Sequence, residues 1–239
     1  MEEEVLDPIP GIRYSWEEGL LIEGPKGNFK PKVGGKFMAD AGKIDADGTM
    51  QNALPGIENE KGGGVFRYLM PYVLGSYSDF LDFKFEMDFA NIREIKDVWI
   101  DFRKAPYLGH LKIGHFGQPM SLEDQTSSRD RTFMEAALPV LAFPPGNDIG
   151  VMAVNTALGE RMTWAAGVFM ITGSFSDTGE ARDRLTERLG TSLAGRITYL
   201  PWYDSEGRYL LHLGLSYNRQ FIDAGRSDSQ IRFSARPET

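Results

Sequence analysis

Hydrophobic and polar residues alternate one by one through most of this chain. The clearest example is LDFKFEMD at residues 81–88, in which every apolar side chain is followed by a charged one. A period of two is that of a β-strand with one apolar and one wet face, whereas on a helix these charges would be scattered around the whole circumference. The pattern therefore predicts a strand over residues 81–90.

The same alternation recurs along the chain and predicts about ten strands, without a long helical pattern between them. The alternating runs are residues 29–37, 81–90, 97–103, 111–113, 161–168, 196–199, 209–218 and 231–236, and two less regular runs lie near 65–74 and 147–155. We therefore expect an all-β chain.

The connections between these runs alternate in length. Short ones fall near residues 75–79, 105–108, 157–159 and 201–207, and longer ones at 41–63, 91–96, 118–146, 172–190 and 221–228. Transmembrane β-barrels have short turns at one end and long loops at the other, and their strands need about 9–11 residues to cross a bilayer at a tilt. This alternation of short and long connections favours an antiparallel up-and-down transmembrane β-barrel. A soluble β-sandwich, whose strands also alternate, is the alternative.

The longest connection, residues 118–146, is too long for a turn. Structureless loops above about 15 residues in a compact domain are usually functional or disordered. This loop is rich in large apolar residues, so we expect it to pack against the rest of the protein. They are Phe133, Met134, Leu138, Val140, Leu141 and Phe143.

Composition narrows the partners of the chain. Its 26 basic and 34 acidic residues give a net charge of −8, which argues against nucleic acid. The lack of cysteine excludes disulfides and thiolate-bound metals. No run of 18 apolar residues predicts a membrane helix, and the opening MEEEVLDPIP lacks the features of a secretory signal. We expect either a cytoplasmic protein or a sequence that begins after processing.

Candidate catalytic and metal-binding groups are few. His110 and His115 stand five positions apart on an expected strand and would face opposite sides, while His212 lies far along the chain. The glycines at 62–64 lack the following Lys-Ser/Thr of a phosphate-binding loop. We expect no metal, no cofactor and no catalytic residues, hence no enzyme.

Residues 111–151 carry a family resemblance. They read LKIGHFGQP, then SLEDQTSSRDRTFMEAALP, then AFPPGNDIGV. This order resembles the phosphate- and polyphosphate-selective porin family (porin O/P type) of Gram-negative outer membranes. The resemblance extends to the early strand at 28–37, the strand at 81–90 and the segment ARPE at 235–238.

The resemblance implies a barrel of about 16 strands in the outer membrane, surrounded by lipid and assembled as a homotrimer. It also implies that the long loop 118–146 folds inward and narrows the pore. We expect residues 1–239 to form one barrel domain that lacks roughly the last six strands of the family fold.

If the charged face lines the lumen, basic side chains outnumber acidic ones there, and small anions should be preferred. The basic residues expected on the lumen wall are Lys30, Lys32, Lys36, Lys84, Lys112, Arg161, Arg196 and Arg232. The residues expected to contact an anion at the constriction are Arg67, Ser127, Ser128, Arg129 and Arg131. Asp124 and Ala136 stand where the family favours basic residues, which favours a general anion pore over a dedicated phosphate site.

The leading hypothesis is a passive outer-membrane channel for small anions and solutes, phosphate or polyphosphate among them. Two alternatives stay open at this point. One is a non-conducting barrel that contacts other subunits of an envelope complex. The other is a soluble β-sandwich that acts as a binding module.

Overall fold

The computed structural model describes residues 12–43, 63–90, 94–133, 135–171 and 190–222. In these residues eleven strands form one antiparallel sheet, in which each strand pairs with its neighbours in sequence. The strands are β1 Arg13–Trp16, β2 Leu20–Glu23, β3 Phe29–Gly42, β4 Gly63–Tyr77, β5 Leu81–Asp88, β6 Glu94–Ala105, β7 Gly109–Gly117, β8 Asn147–Ala157, β9 Met162–Met170, β10 Gly190–Asp204 and β11 Tyr209–Ile222.

The all-β, up-and-down expectation is confirmed, and the β-sandwich alternative is wrong because the described strands form a single sheet. Nine of the ten expected strands are present. The tenth, at 231–236, lies outside the described residues. The alternation missed the hairpin of β1 and β2 because each strand has only four residues.

The short connections lie where the alternation of short and long connections predicts them. Turns of three or four residues join β4 to β5, β6 to β7, β8 to β9 and β10 to β11, and these turns share one end of the sheet. The β8–β9 turn has left-handed backbone at Leu158, Gly159 and Glu160, with φ of 54°, 65° and 66°. Such positive φ angles match the twist of the flanking strands in tight hairpins.

The loop at 118–146 has the bounds expected from the sequence. It contains two short helices, α1 Leu122–Gln125 and α2 Leu138–Ala142. No helix in the described ranges is both long and apolar enough to cross a membrane.

The two faces of the sheet differ in chemistry. One face carries most of the charged side chains of β3 to β7, and those in the middle of the strands, such as Lys36, Glu86 and Asp101, are buried or half-buried. The other face exposes a large apolar side chain from almost every strand: Phe29, Val33, Phe37, Leu69, Phe85, Val98, Ile100, Ile113, Val151, Val168, Leu193, Ile197, Leu213 and Leu215. An apolar surface of this extent is the lipid-facing band of a membrane barrel.

The polar face is the concave one. Gln118 directly follows β7, yet its side chain accepts a hydrogen bond of 2.6 Å from Asn218 Nδ2 on β11. In a flat sheet these strands would lie four spacings apart, about 19 Å. Two side chains cannot reach across that gap, so the sheet curls around its polar face.

The densest packing lies on this concave face, beneath the start of the long loop. Phe169 is fully buried and meets the Phe116 ring at 5.5 Å between centroids and 70° between planes. Its ring lies over Gly150 and Gly167, where an added Cβ would come within 2.4 and 2.8 Å of it. The glycines therefore leave room for the ring.

We predict that arginine will destabilise the barrel at Leu215 and will be tolerated at the adjacent Gly214. Leu215, in the middle of β11, is 72% exposed on the apolar face, and Gly214 faces the concave side. Leu215→Arg should cost about 2–4 kcal/mol in bilayer folding, the cost of Arg at the midplane of a barrel's lipid face. Urea titration of folding into liposomes measures it.

Gly214→Arg is the control. A Cβ at Gly214 would meet Thr198 at 3.7 Å, an ordinary contact, so a side chain can start there without a clash. Equal destabilisation by both variants would contradict the difference between the faces, and greater destabilisation by Gly214→Arg would show that the faces are assigned the wrong way round.

Candidate constriction site

The long loop is closed at its base by the backbone. Gln118 N donates to Gly146 O at 3.1 Å, immediately before β8 begins. Further along, Glu123 joins distant parts of the loop: its carboxylate accepts from Ala137 N at 2.9 Å, and its carbonyl accepts from Arg131 at 3.2 Å. The loop is therefore folded on itself and is not an open strap.

The loop meets the wall at β3. Lys36 Nζ donates to Ser128 Oγ at 2.7 Å and lies 4.1 Å from the centre of the Tyr68 ring. Ser127 and Arg129 flank this contact in sequence, and both are exposed. One lysine of the wall is thus joined to a loop segment, residues 127–131, that carries two hydroxyls and two guanidinium groups.

Arg67 is placed differently from the expected anion contact. Its guanidinium binds the carboxylates of Asp40 on β3 and Glu135 in the loop. Bonds from one guanidinium to two carboxylates fix it in place. Arg67 links the loop to the wall.

Carboxylates on β5 and β6 face one another across the sheet. Glu86 and Asp97 are direct partners in the register. Like charges in such positions repel. Lys84 offsets this, because its Nζ lies 2.5 Å from Glu86 and 2.7 Å from Asp97.

Asp82 and Asp101 form a second facing pair. Arg103 binds Asp82 through two nitrogens at 2.5 Å, and His110 Nδ1 lies 3.1 Å from Asp101. The acidic groups of this wall are thus held by neighbouring strands.

Several basic groups of the concave side have no carboxylate within 4 Å among the residues described. Lys112 instead lies over the Trp99 ring, with its Nζ 4.2 Å from the ring centre. The full set is Lys32, Lys36, Lys112 and Arg196 on the strands and Arg129 and Arg131 in the loop. Six basic groups of the concave side and the loop are therefore not held by a carboxylate within the described ranges.

The remaining basic positions are scattered. Lys30 is paired with Glu23 at 2.5 Å. Arg161 lies exposed in the β8–β9 turn, outside the strand itself. Arg232 lies outside the described residues.

The histidines are separated, as expected. His115 faces the apolar side, where its Nδ1 contacts Lys96 O at 2.9 Å, while His110 binds Asp101 on the concave side. Within the described ranges, no group of three or more His, Asp or Glu side chains is arranged to hold a metal ion.

Sequence reasoning missed a buried polar cluster at the loop base, here named the root cluster: Gln118, Asp148, Ser192 and Asn218. Gln118 Nε2 donates to Asp148 Oδ2 at 2.7 Å, and Ser192 Oγ and Asn218 Nδ2 donate to Gln118 Oε1 at 2.9 and 2.6 Å. These residues are far apart in sequence. The only available signal was polar residues at inward positions near the loop ends of their strands.

The apolar residues of the loop gather on one side of it. Leu122, Phe133, Leu138 and Leu141 line a cavity of about 710 Å³, together with polar groups that include Arg131. In the described residues these side chains stay largely exposed, with Phe133 74% accessible. The expected packing of the loop is therefore observed at its root cluster and at Lys36 and Arg67, and not along this side.

Asp124 is the acidic residue closest in sequence to the 127–131 segment on its N-terminal side. Burial raises the pKa of its carboxyl above the usual 3.8, and the hydrogen bond with Gln125 and the charge of Arg131 offset part of that rise. Asp124 therefore holds its proton at a higher pH than an exposed aspartate. It contributes less negative charge to the loop under mildly acidic conditions than the sequence alone suggests.

We predict that Asp124→Asn will stabilise the protein at neutral pH and not at low pH. A raised folded pKa favours the protonated carboxyl, so the wild type loses stability as pH rises from about 3.8 through the folded pKa. The advantage of the asparagine variant should grow over that interval. Thermal unfolding at a series of pH values measures it, and a difference independent of pH would contradict a buried Asp124.

Comparison with known proteins agrees with this geometry. A search of curated proteins found no match. The family model for phosphate-selective porin O and P matches residues 32–239, which include most of β3, all later strands and the long loop. The resemblance noted from the sequence is confirmed. The chain belongs to the phosphate-selective porin O and P family of Gram-negative outer membranes, and it is a β-barrel porin that forms a passive channel for small anions.

Proposed function

We propose that the loop 118–146 forms the constriction of this porin and that the anion passing it is held between the wall and the 127–131 segment. The groups assigned to the anion are Lys36, Ser127, Ser128, Arg129 and Arg131. The contact of 2.7 Å between Lys36 Nζ and Ser128 Oγ carries this proposal. It joins a lumen lysine to the part of the loop with the most anion donors.

These groups suit a tetrahedral oxyanion. The planar fork of an arginine can donate two parallel hydrogen bonds to phosphate, and lysine offers a compact charge with three donors. One lysine donor is used by Ser128, so others remain. Lys36 lies within electrostatic range of the carboxylates of Glu86 and Asp88 and also of Arg129 and Arg131. Clustered positive charge raises the local anion concentration and lowers the barrier to entry.

The pairing of the acidic wall supports preference for anions over cations. Lys84 and Arg103 hold the carboxylates of Glu86, Asp97 and Asp82, which reduces their attraction for a passing cation. The loop arginines have no such partner among the described residues. Arg129 is also exposed, so its hold on an anion is moderate, as conduction requires.

Arg67 takes a different role in this proposal. Because it is bound by Asp40 and Glu135, it holds the loop against the wall and leaves anion contact to the other basic groups.

We further infer that residues 1–239 belong to one barrel domain, that the porin works as a homotrimer in outer-membrane lipid, and that it catalyses no reaction. The apolar band of the sheet supports the lipid contact. The outer edge of β11 is unpaired among the described residues. A bilayer does not tolerate unpaired strand edges, so a further strand of the same barrel should cover it.

We predict that Lys36→Gln and Arg129→Ala will each weaken the block of chloride current by phosphate about 3- to 10-fold, because each removes one charge-assisted bond worth about 1 kcal/mol in a partly exposed site. Titration of phosphate against chloride conductance in planar bilayers measures the block. Lys104→Gln is the matched control, since Lys104 pairs with Asp79 at the turn end of the sheet.

Two outcomes would overturn the proposal. Unchanged phosphate block in both Lys36→Gln and Arg129→Ala would remove the assigned site. A folded barrel that carries no current at all would favour the non-conducting scaffold.

A further inference from the structure

We propose that Gln118 is the positioning residue of the constriction: it fixes the loop to the wall and thereby sets both pore size and anion preference, without touching the anion. The inference rests on the proposed function of the loop. Gln118 is 1% exposed and directly follows β7, where the chain leaves the sheet.

Both the side chain and the backbone of Gln118 form hydrogen bonds. Its side-chain amide donates to Asp148 on β8 and accepts from Ser192 on β10 and Asn218 on β11. Its backbone N–H donates to Gly146 at the far end of the loop, and its carbonyl accepts from Gln125 Nε2 at 3.0 Å. One residue thus connects three other strands, both ends of the loop and helix α1.

The members of the root cluster also hydrogen-bond to one another, and two of them are almost fully buried. Asn218 Nδ2 donates to Ser192 Oγ at 2.7 Å. Ser192 and Asp148 are 0% and 2% exposed. A buried polar group that loses its partner pays the full cost of desolvation, so this arrangement strongly favours one loop position over others.

The amide group is specifically required by these partners. The amide donates to Asp148 and accepts from Ser192 and Asn218, and it offers both functions from one carbon without carrying a charge. A glutamate at 118 would satisfy the two donors and place a second carboxylate against Asp148. An apolar residue would satisfy none of the three.

The root cluster acts at a distance from the anion groups. Lys36 and Arg67 hold the far part of the loop against β3 and β4, while Gln118 holds its base against the opposite strands β8, β10 and β11. Releasing the base lets α1 and the 127–131 segment that follows it move relative to the wall. Pore size and anion contact should then change together.

Exchanging the amide of Gln118 with the carboxylate of Asp148 tests this positioning role. Gln118→Glu alone should convert one steady conductance level into several interconverting levels and weaken phosphate block several-fold. The Gln118→Glu/Asp148→Asn double variant places an amide donor against the new carboxylate, so it should restore both properties to within about twofold of wild type. Asp148→Asn alone should have a mild effect, because an asparagine can turn its oxygen toward Gln118.

A second readout does not depend on conduction. In the folded, membrane-inserted protein, trypsin should cleave after Arg129 and Arg131 several-fold faster in Gln118→Glu than in wild type, and the double variant should reverse this. Faster cleavage in a barrel that carries no current would still support the positioning role, while the proposed channel function would fail separately.

Two results would overturn the inference. One is wild-type conductance and cleavage in folded Gln118→Glu. The other is a double variant as disturbed as the single one, since generic damage would not be repaired. Should Gln118→Glu fail to fold, Asn218→Leu removes two bonds of the cluster without adding charge. Faster cleavage in that variant supports the role, and unchanged cleavage overturns it.

Discussion

A strand in a bilayer must pair every backbone N–H and C=O with a neighbour, and it must turn apolar side chains toward lipid. The other features of this protein follow from that constraint. Alternate residues are forced to the concave side, so the charged residues of the strands are collected in one confined space. Charges in such a space interact strongly, which is why the wall is organised into bridges such as Lys84 between Glu86 and Asp97.

The strands and the bounds of the long loop could be predicted because they are local properties. A period of two is visible within eight residues, and an interruption such as 118–146 is visible without knowing what it contacts. The hairpin of β1 and β2 was missed for the same reason, since four residues are too few to establish a period.

The site was only partly predictable. Basic residues on the concave face could be assigned from alternation, but alternation does not reveal which of them are paired. Arg67 illustrates this, because Asp40 and Glu135 lie 27 and 68 positions away in sequence. The root cluster depends on curvature of the whole sheet, which brings Gln118 to Asn218 across 100 positions. Alternation along the chain does not show which distant strands the curved sheet brings together.

We infer that the charge presented to solutes in the lumen is positive although the whole chain carries −8. The reversal potential of the purified porin in a planar bilayer under a potassium chloride gradient tests it most directly. A potential of the sign set by chloride is expected, and it should shift toward zero in Arg129→Ala. A potential of the sign set by potassium would show that the lumen prefers cations.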